Sequence, residues 1–190
     1  DFYDIKGVAD ALLKTVRIYD CDYVRTSDSD AFDEASAFHP GRSAVILKDG
    51  KAIGILGEIH PDVAENYGIE VKVYAAKLNV PEMLKLSEKE VTYKPMPKFP
   101  ATTRDLSLIC DDNLPAASIE KAIKKAAGKV LEKVTLFDVY KGKQIEEGKK
   151  SISYSISMRS HDGTLTDEQA DSVMKKVLKA LKDIGADLRM

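Results

Sequence analysis

Two side chains that could bind a ligand, an aromatic ring and a carboxylate, lie close together in the stretch Val134–Tyr140. The stretch is rich in β-branched and aromatic residues, which predicts a strand. Alternation along a strand places Asp138 and Tyr140 on one face, with Phe137 and Val139 on the other. A carboxylate accepts hydrogen bonds, and a phenol ring offers a flat surface for stacking. The pair therefore marks a candidate binding surface if its face of the sheet is open.

The next strand indicates that this face is open. Residues 150–158 alternate without a break, with apolar side chains on one face (Ile152, Tyr154, Ile156, Met158) and serines on the other (Ser151, Ser153, Ser155, Ser157). Period two predicts one buried face and one wet face. The loop 141–149 contains Gly142 and Gly148, which suits a hairpin longer than two residues. The serines, Asp138 and Tyr140 are expected on the wet face.

Other residues could hold a metal ion or a proton, but their spacing favours plainer roles. His39 and His60 each precede a proline, and no Cys/His pair at metal-ligand spacing accompanies them, so we expect them to stabilise turns. An acidic cluster (Asp28, Asp30, Asp33, Glu34) raises the possibility of a calcium loop. It lacks the glycine and the terminal glutamate of such loops, which favours a solvated loop.

Length and composition indicate a globular protein of one large domain or two small ones. The chain has 190 residues, 32% charged and 44% hydrophobic. No apolar run approaches the ~20 residues that a membrane helix needs, and no signal peptide opens the chain. Two distant cysteines imply no disulfide framework, so we expect a reducing, cytoplasmic location. Because the first residue is Asp1 rather than Met, we expect a piece of a longer polypeptide.

The charge distribution gives a weak hint about partners. The net charge of −2 argues against a general nucleic-acid coat. Residues 97–190 hold 17 Lys and Arg against 14 Asp and Glu, a net charge of +3, whereas residues 1–96 hold 12 against 17, a net charge of −5. A polyanion would therefore meet the C-terminal half.

The N-terminal half predicts an antiparallel sheet with a helix. Apolar residues at helical spacing predict a helix over 1–16, and two apolar runs around Asp49-Gly50 predict a hairpin with a type I′ turn. We also expect strands over 17–25 and 71–78, a loop over 26–36 and a short helix over 62–67. Proline density over 79–100 indicates a linker, with a domain boundary near residues 93–97.

The C-terminal half predicts the ferredoxin-like βαββαβ order. A strand over 104–110 and a helix over 115–127, ended by Gly128, precede the two strands described above. Thr166 and Gln169 form a capping box for a second helix, which Gly185 ends before a short last strand. Both crossovers place their helices on one face of the sheet, which leaves the other open. The expected fold class is α+β.

Several motifs together resemble a known family. Residues 98–108 (KFPATTRDLSL), 136–140 (LFDVY), 148–151 (GKKS) and 165–168 (LTDE) resemble the ferredoxin-fold anticodon-binding domain that closes the β subunit of bacterial phenylalanyl-tRNA synthetase. Residues 38–43 (FHPGRS), 54–61 (GILGEIHP) and 67–69 (YGI) are similar to the end of the same subunit's catalytic-like, class II synthetase-like domain. The resemblance covers nearly the whole chain.

The resemblance implies three segments and a division of labour. Residues 1–92 would be the C-terminal part of the class II-like non-catalytic domain, 93–100 a Pro-rich linker and 101–190 the anticodon-binding domain. In the family, the α subunit carries the active site that uses ATP and magnesium, and the enzyme is a heterotetramer of two α and two β subunits. No Gly-x-Gly-x-x-Arg run follows residues 67–69 to hold ATP. The implied partners are therefore tRNA(Phe) and the α subunit, with no cofactor in this chain.

Site residues carry over at few positions. In the family, the Asp and Tyr of Phe-Asp-x-Tyr and a Ser at the start of the following strand contact the first anticodon base, a guanine. These positions match Asp138, Tyr140 and Ser151 here. The possible phosphate contacts, which the motif does not single out, are Arg104, Lys149, Lys150 and Arg159.

Two other functional classes remain open at this point. A ferredoxin-like regulatory module that binds an amino acid has the same strand order, but it usually needs a glycine in the turn after its first strand, which here reads Asp-Asp-Asn-Leu (111–114). The second class is a scaffold that only assembles a partner subunit.

Residues 1–80 are expected to leave apolar side chains uncovered. The apolar set of this segment exceeds what one hairpin buries against one helix; its members are Val45, Ile46, Leu47, Ile53, Ile55, Leu56 and Ile59.

Overall fold

A computed structural model describes residues 1–93, 95–160 and 162–189. The chain divides into two compact units, Asp1–Tyr93 and Lys94–Met190. Each unit has its own sheet and its own core.

The N-terminal unit is a four-stranded antiparallel sheet of order β1-β2-β3-β4 with three helices. Its elements are α1 (Phe2–Thr15), β1 (Asp22–Arg25), β2 (Phe38–Lys48), β3 (Lys51–Ile59), α2 (Pro61–Asn66), β4 (Tyr74–Leu78) and α3 (Val80–Leu86). Two short 3₁₀ segments, Thr26–Asp28 and Asp33–Ala37, lie within the predicted loop. The predicted helix, hairpin and short helix are confirmed.

The turn between β2 and β3 has the geometry that its sequence predicts. Asp49 and Gly50 have φ values of 50° and 77°, which a type I′ turn requires at both central positions. Further along β3, Gly57 has a φ of 152°, and a Cβ there would lie 2.5 Å from the Arg42 carbonyl oxygen. A glycine is therefore needed where the register of the two strands shifts.

Five of the seven apolar side chains of this hairpin are buried within the unit, and Leu47 and Ile59 are half-buried, so the hairpin itself is not the uncovered surface that the sequence predicts. On one face, Ile46, Ile53 and Leu56 pack with side chains of α1 and α3; on the other, Val45 and Ile55 pack with Phe38. Side chains of the unit cover both faces of the sheet, whereas the prediction considered only one hairpin against one helix. Exposed apolar side chains elsewhere in the unit include Val8, Leu12 and Val16, which follow one side of α1 to its C-terminal end.

Two N-terminal elements differ from their predictions. The strand expected over 17–25 is only β1, because Arg17 and Asp20 adopt positive φ values of 58° and 53° that break an extended chain. The segment 80–86, predicted as linker from its proline, is helix α3. Asn79 caps it by accepting a hydrogen bond from the Glu82 backbone N–H at 3.2 Å, and proline is well tolerated in a first turn.

The C-terminal unit has the predicted βαββαβ order. Its elements are β5 (Thr102–Asp111), α4 (Ala116–Ala127), β6 (Leu131–Tyr140), β7 (Lys149–Met158), α5 (Asp167–Lys182) and β8 (Ala186–Leu188). The antiparallel sheet has the order β6-β7-β5-β8, so the two strands of the central pair are not neighbours in sequence. The expected α+β, ferredoxin-like fold is confirmed.

One core joins the helices of this unit to one face of its sheet. Leu108, Ile152 and Ile156 from the strands pack with Ile123 of α4 and Val177 of α5, each at most 1% exposed. Tyr154 is fully buried in the same core, where its hydroxyl donates to the Ala116 carbonyl oxygen at 3.2 Å and burial raises the pKa of the phenol. The face opposite the helices is the one that can receive a ligand.

The capping box of α5 is present and should contribute measurably to stability. The Thr166 hydroxyl accepts from the Gln169 backbone N–H at 3.3 Å, and Gln169 accepts from the Thr166 backbone N–H at 3.0 Å. Thr166→Ala should lower the free energy of unfolding of this unit by about 1 kcal/mol. Urea unfolding of the chain measures this, with Thr164→Ala as control. If Thr166→Ser lowers the free energy of unfolding as much as Thr166→Ala does, the loss of stability does not come from the cap.

Among the described residues, no helix combines the length and the apolar character that crossing a bilayer would need.

Candidate nucleic-acid interface

Asp138 and Tyr140 lie together on the face of the C-terminal sheet opposite the helices. In an antiparallel ladder, residues directly opposite each other share a face. Asp138 pairs with Ser153 and Tyr140 pairs with Ser151, whereas Val139 pairs with Ile152, which is buried against the helices. Both site residues are exposed, and Tyr140 retains 38% of its surface. A ring and a carboxylate are thus available side by side on an open sheet.

A β-bulge at Phe137 decides this arrangement. Leu136 pairs with Tyr154, whose ring is buried on the helix side, so uninterrupted alternation from Leu136 would turn Asp138 toward the helices. The register shifts by one residue between Leu136 and Asp138, which leaves Phe137 without a cross-strand partner and 57% exposed. The extra residue moves Asp138 to the open face.

The serines of β7 do not form the wet row that their alternation predicts. Ser151 is 1% exposed and Ser153 is 5% exposed, although both lie on the open face. Ser153 shares a hydrogen bond of 2.9 Å with Ser107 of the neighbouring strand β5. Ser151 accepts a hydrogen bond at 3.3 Å from Nη1 of Arg189, whose long side chain covers it. Strand β7 is central in the sheet, so neighbours on both sides cover its short side chains. Ser151 is therefore beside Tyr140, as expected, but a ligand cannot reach it in this arrangement.

The ring of Tyr140 rests against the backbone of Gly142 in the hairpin loop. A Cβ added at Gly142 would lie 2.4 Å from the Tyr140 hydroxyl oxygen and 2.6 Å from Cζ. Real Cβ atoms do not approach other atoms so closely, so only glycine at this position allows the observed pose of the ring. The contact involves the far end of one side chain and no strand backbone. Gly142 thus sets the ring orientation without bearing on the fold.

Gly142→Ala should displace the Tyr140 ring while the unit stays folded. We expect affinity for a stacking ligand to fall by less than removal of the ring would cause, about 0.5–1 kcal/mol, since an off-rotamer side chain has about that energy. The measurement is a dissociation constant beside a thermal unfolding curve, with Gly163→Ala as the control glycine. Unchanged binding in Gly142→Ala would show that the pose is irrelevant.

Two of the four predicted phosphate contacts lie on the wrong side of the sheet. Arg104 pairs across the ladder with Ile156 on the helix side, where it forms ion pairs with Asp167 at 2.7 Å and Asp171 at 3.6 Å. The carboxylate of Asp167 raises the pKa of Arg104. Lys150 donates to the carbonyl oxygens of Asp112 and Leu114 at 2.8 and 2.7 Å, which holds the β5–α4 turn. Both cations serve the structure and are withdrawn as contacts to a ligand on the open face.

The other two predicted contacts are already paired. Lys149 forms an ion pair of 2.6 Å with Glu146, which raises the pKa of the lysine. Arg159 binds Glu132 through two hydrogen bonds, with Nε–Oε1 of 2.9 Å, and also donates to the Phe99 carbonyl oxygen. The pairing holds the pKa of Glu132 below its usual range. These side chains would have to exchange partners before contacting a phosphate.

Sequence reasoning missed three residues at this surface. Gly142 positions the ring, and Arg189 and Gln144 meet above Ser151, with Nη2 of Arg189 3.4 Å from Oε1 of Gln144. Glycine in the loop was noticed only as a turn former. Arg189 directly follows the last strand, and alternation from Asp187 assigns it to the open face. This alternation is the sequence signal that could have identified Arg189.

The two histidines stabilise turns, as predicted. Nδ1 of His39 accepts from the Gly41 backbone N–H at 3.1 Å, and Nδ1 of His60 accepts from the Asp62 backbone N–H at 3.3 Å. Within the part of the chain that the structure describes, no group of three or more His, Cys, Asp or Glu side chains could hold a metal ion.

The N-terminal unit contains a groove of about 550 Å³. Its floor contains Glu58, which is 2% exposed and binds Arg42 through Nε–Oε2 at 2.6 Å and Nη2–Oε1 at 2.9 Å. The Tyr74 hydroxyl donates to the same carboxylate at 3.0 Å. The arginine holds the pKa of Glu58 below its usual range. Glu65, Glu70 and Lys72 line the same groove, so its charges are of both signs.

Comparison with known proteins matches both units. Residues 97–189 match the family described as "Ferredoxin-fold anticodon binding domain", and residues 1–80 match "Phenylalanyl tRNA synthetase beta chain CLM domain". Similar proteins include three named "Phenylalanine--tRNA ligase beta subunit". The one from Clostridium acetobutylicum is 40% identical over 190 residues, the one from Clostridium tetani 43% over 190, and the one from Symbiobacterium thermophilum 39% over 189. Each alignment covers the whole of this chain but only 20–23% of the relative.

Proposed function

The chain belongs to the phenylalanine–tRNA ligase β subunits, of which it spans about a fifth, and from this premise we propose that its C-terminal unit binds the anticodon of tRNA(Phe). The observation that carries the proposal is the exposure of Asp138 and Tyr140 on the sheet face opposite both helices. Single-stranded RNA loops offer unstacked bases, and an open sheet with an aromatic ring is a common platform for them.

The pair suits a guanine at the first anticodon position. The Tyr140 ring offers a stacking face to any base, and such stacking contributes about 1–3 kcal/mol per base. The Asp138 carboxylate can accept from guanine N1–H and N2–H together, a pattern that adenine does not present. Asp138 and Tyr140 share a strand face because they are two residues apart, and the register shift at Phe137 makes that face the open one. We therefore assign base stacking to Tyr140 and base discrimination to Asp138.

The N-terminal unit has an assembly role in this proposal. One side of α1 exposes Val8 and Leu12, and Val16 continues the same four-residue spacing at the helix end, with exposed fractions from 39% to 64%. Regular spacing of apolar side chains on one side of a helix is typical of a helix that packs against another element. We propose that the catalytic α subunit covers this surface in a heterotetramer of two α and two β subunits.

Catalysis is assigned to the partner. The arginine of the N-terminal groove is paired with Glu58. We propose that ATP and magnesium act in the α subunit of the whole, cytoplasmic ligase. The chain alone should form no phenylalanyl adenylate, which pyrophosphate exchange measures.

Equilibrium binding separates this function from its alternatives. The 190-residue chain is titrated with tRNA(Phe), with free amino acids and with purified α subunit. Binding of tRNA that weakens when the first anticodon base is changed supports the proposal. Binding of an amino acid instead would favour a regulatory module, although the turn such a module uses is filled here by Lys150. Binding of α subunit without RNA would indicate a scaffold.

A further inference from the structure

Arg189 projects its side chain across the open face of the C-terminal sheet from the edge opposite β6. Its backbone N–H donates to the Ser107 carbonyl oxygen at 2.9 Å, which extends the pairing of β8 with β5 by one residue. The guanidinium passes over β5 and reaches Ser151 of β7 at 3.3 Å from Nη1. Because Ser151 pairs directly with Tyr140, the guanidinium lies next to the row that carries the ring.

The guanidinium of Arg189 is only weakly engaged by the residues that the structure describes. Its side-chain hydrogen bonds are to neutral acceptors and are long, 3.3 Å to Ser151 and 3.4 Å to Gln144. Among residues 1–93, 95–160 and 162–189, no carboxylate lies within ion-pair distance of it. Arg104 and Arg159 in the same unit each bind a carboxylate at 2.7–2.9 Å. A guanidinium has five N–H donors, and among the described residues the side chains that accept from Arg189 are Ser151 and Gln144.

The side chains of Asp138, Tyr140 and Arg189 surround one area of the open sheet face. Ser151 and Ser153, both covered, form its floor, with Tyr140 and Asp138 beside them on β6. Arg189 comes from the other side. A guanine has a donor edge, N1–H and N2–H, and an acceptor edge, O6 and N7. A carboxylate on one side and a guanidinium on the other match these two edges, whereas adenine presents an amine where guanine has O6.

We propose that Arg189 is a third base-contacting residue, which donates to O6 and N7 of the guanine whose N1–H and N2–H face Asp138; this rests on the proposed function. The positive charge also offsets the repulsion between Asp138 and the RNA backbone. In the free protein, the hydrogen bonds to Ser151 and Gln144 bring the guanidinium over β7 without neutralising its charge. Ser151 therefore acts through Arg189 and not by its own contact.

Atomic substitutions in the base test this assignment. Dissociation constants are measured for the 190-residue chain with an anticodon stem–loop that carries guanosine, 7-deazaguanosine, inosine or adenosine at the first anticodon position. Removal of N7 should weaken binding by the wild-type chain about three- to tenfold, since one bond of a bidentate pair is lost. In Arg189→Gln, guanosine should bind about tenfold more weakly, and the difference between guanosine and 7-deazaguanosine should disappear. The inosine penalty, which reports Asp138, should remain.

The Arg189→Lys variant and a second basic residue complete the design. Arg189→Lys keeps the charge without the planar fork, so it should restore affinity for all RNAs more than it restores sensitivity to N7. Lys133→Gln, on the same face beside Ser157, should leave N7 sensitivity unchanged. Wild-type binding that ignores N7 would overturn the inference without any variant, as would an Arg189→Gln protein that keeps the full N7 penalty. Equal wild-type affinity for guanosine and adenosine would instead overturn the proposed function itself.

Discussion

Replacing Tyr140 with alanine should weaken binding of the anticodon loop by about 1–3 kcal/mol, roughly five- to 150-fold, whichever base occupies the first position. The ring lies on the open face, 38% exposed, and its phenol end rests on Gly142. Stacking uses the π-face that every base has, so the loss should depend little on base identity. Dissociation constants for cognate and first-position variant RNAs at one fixed salt concentration measure it.

Two further variants make the Tyr140 result specific. Tyr140→Phe should keep most of the affinity, because the ring and its contact surface remain. Tyr67→Ala removes a ring that is 80% exposed in the N-terminal unit and should leave RNA binding unchanged. If Tyr140→Ala affects only the cognate RNA, the residue reads the base edge and does not act as a stacking platform.

Replacing Asp138 with alanine should have a different signature, a relaxed specificity. We expect a loss of about 1–3 kcal/mol for the loop with guanine, since a paired carboxylate is removed, and little loss for a loop with another base. The binding curves for the guanine loop and the variant loop should therefore converge in Asp138→Ala, whereas in Tyr140→Ala both curves should shift by a similar amount. The same set of dissociation constants shows which pattern holds.

The general effect of removing a negative charge needs its own control. Asp105 lies on the same open face, paired with Ser155, and Asp105→Ala changes the net charge by the same amount. That variant should strengthen binding of every RNA slightly through backbone electrostatics, without a change in specificity. A loss in Asp138→Ala that is equal for both RNAs, or absent, removes the base-reading role.

Local patterns in the sequence were sufficient for most of the fold. Asp49-Gly50 predicts its turn because few residue pairs accept two positive φ values. Thr166 and Gln169 mark the start of α5 because the capping box involves only neighbouring residues. The strict alternation in β7 predicts its buried face, and the order of elements predicts the ferredoxin-like sheet. Helix α3 was missed because proline in a first turn reads like proline in a linker.

The candidate site depended more on tertiary structure. Asp138 and Tyr140 were identified from their types and spacing, but the bulge at Phe137 is what turns both outward, and a bulge depends on the partner strand. By contrast, strand alternation already assigns Arg104 to the face of Leu106 and Leu108, and Lys150 to the face of Ile152, so their position on the helix side could be predicted from the sequence.

The burial of Ser151 and the position of Arg189 could be decided only by the folded chain. A short polar side chain in a central strand is wet or covered according to what its neighbours extend over it, and here the covering residue lies 38 positions away in sequence. The sequence by itself determined which elements form and which residue types lie on one strand face. The tertiary structure decided which of those side chains a ligand can reach, because accessibility depends on long side chains that cross from other strands.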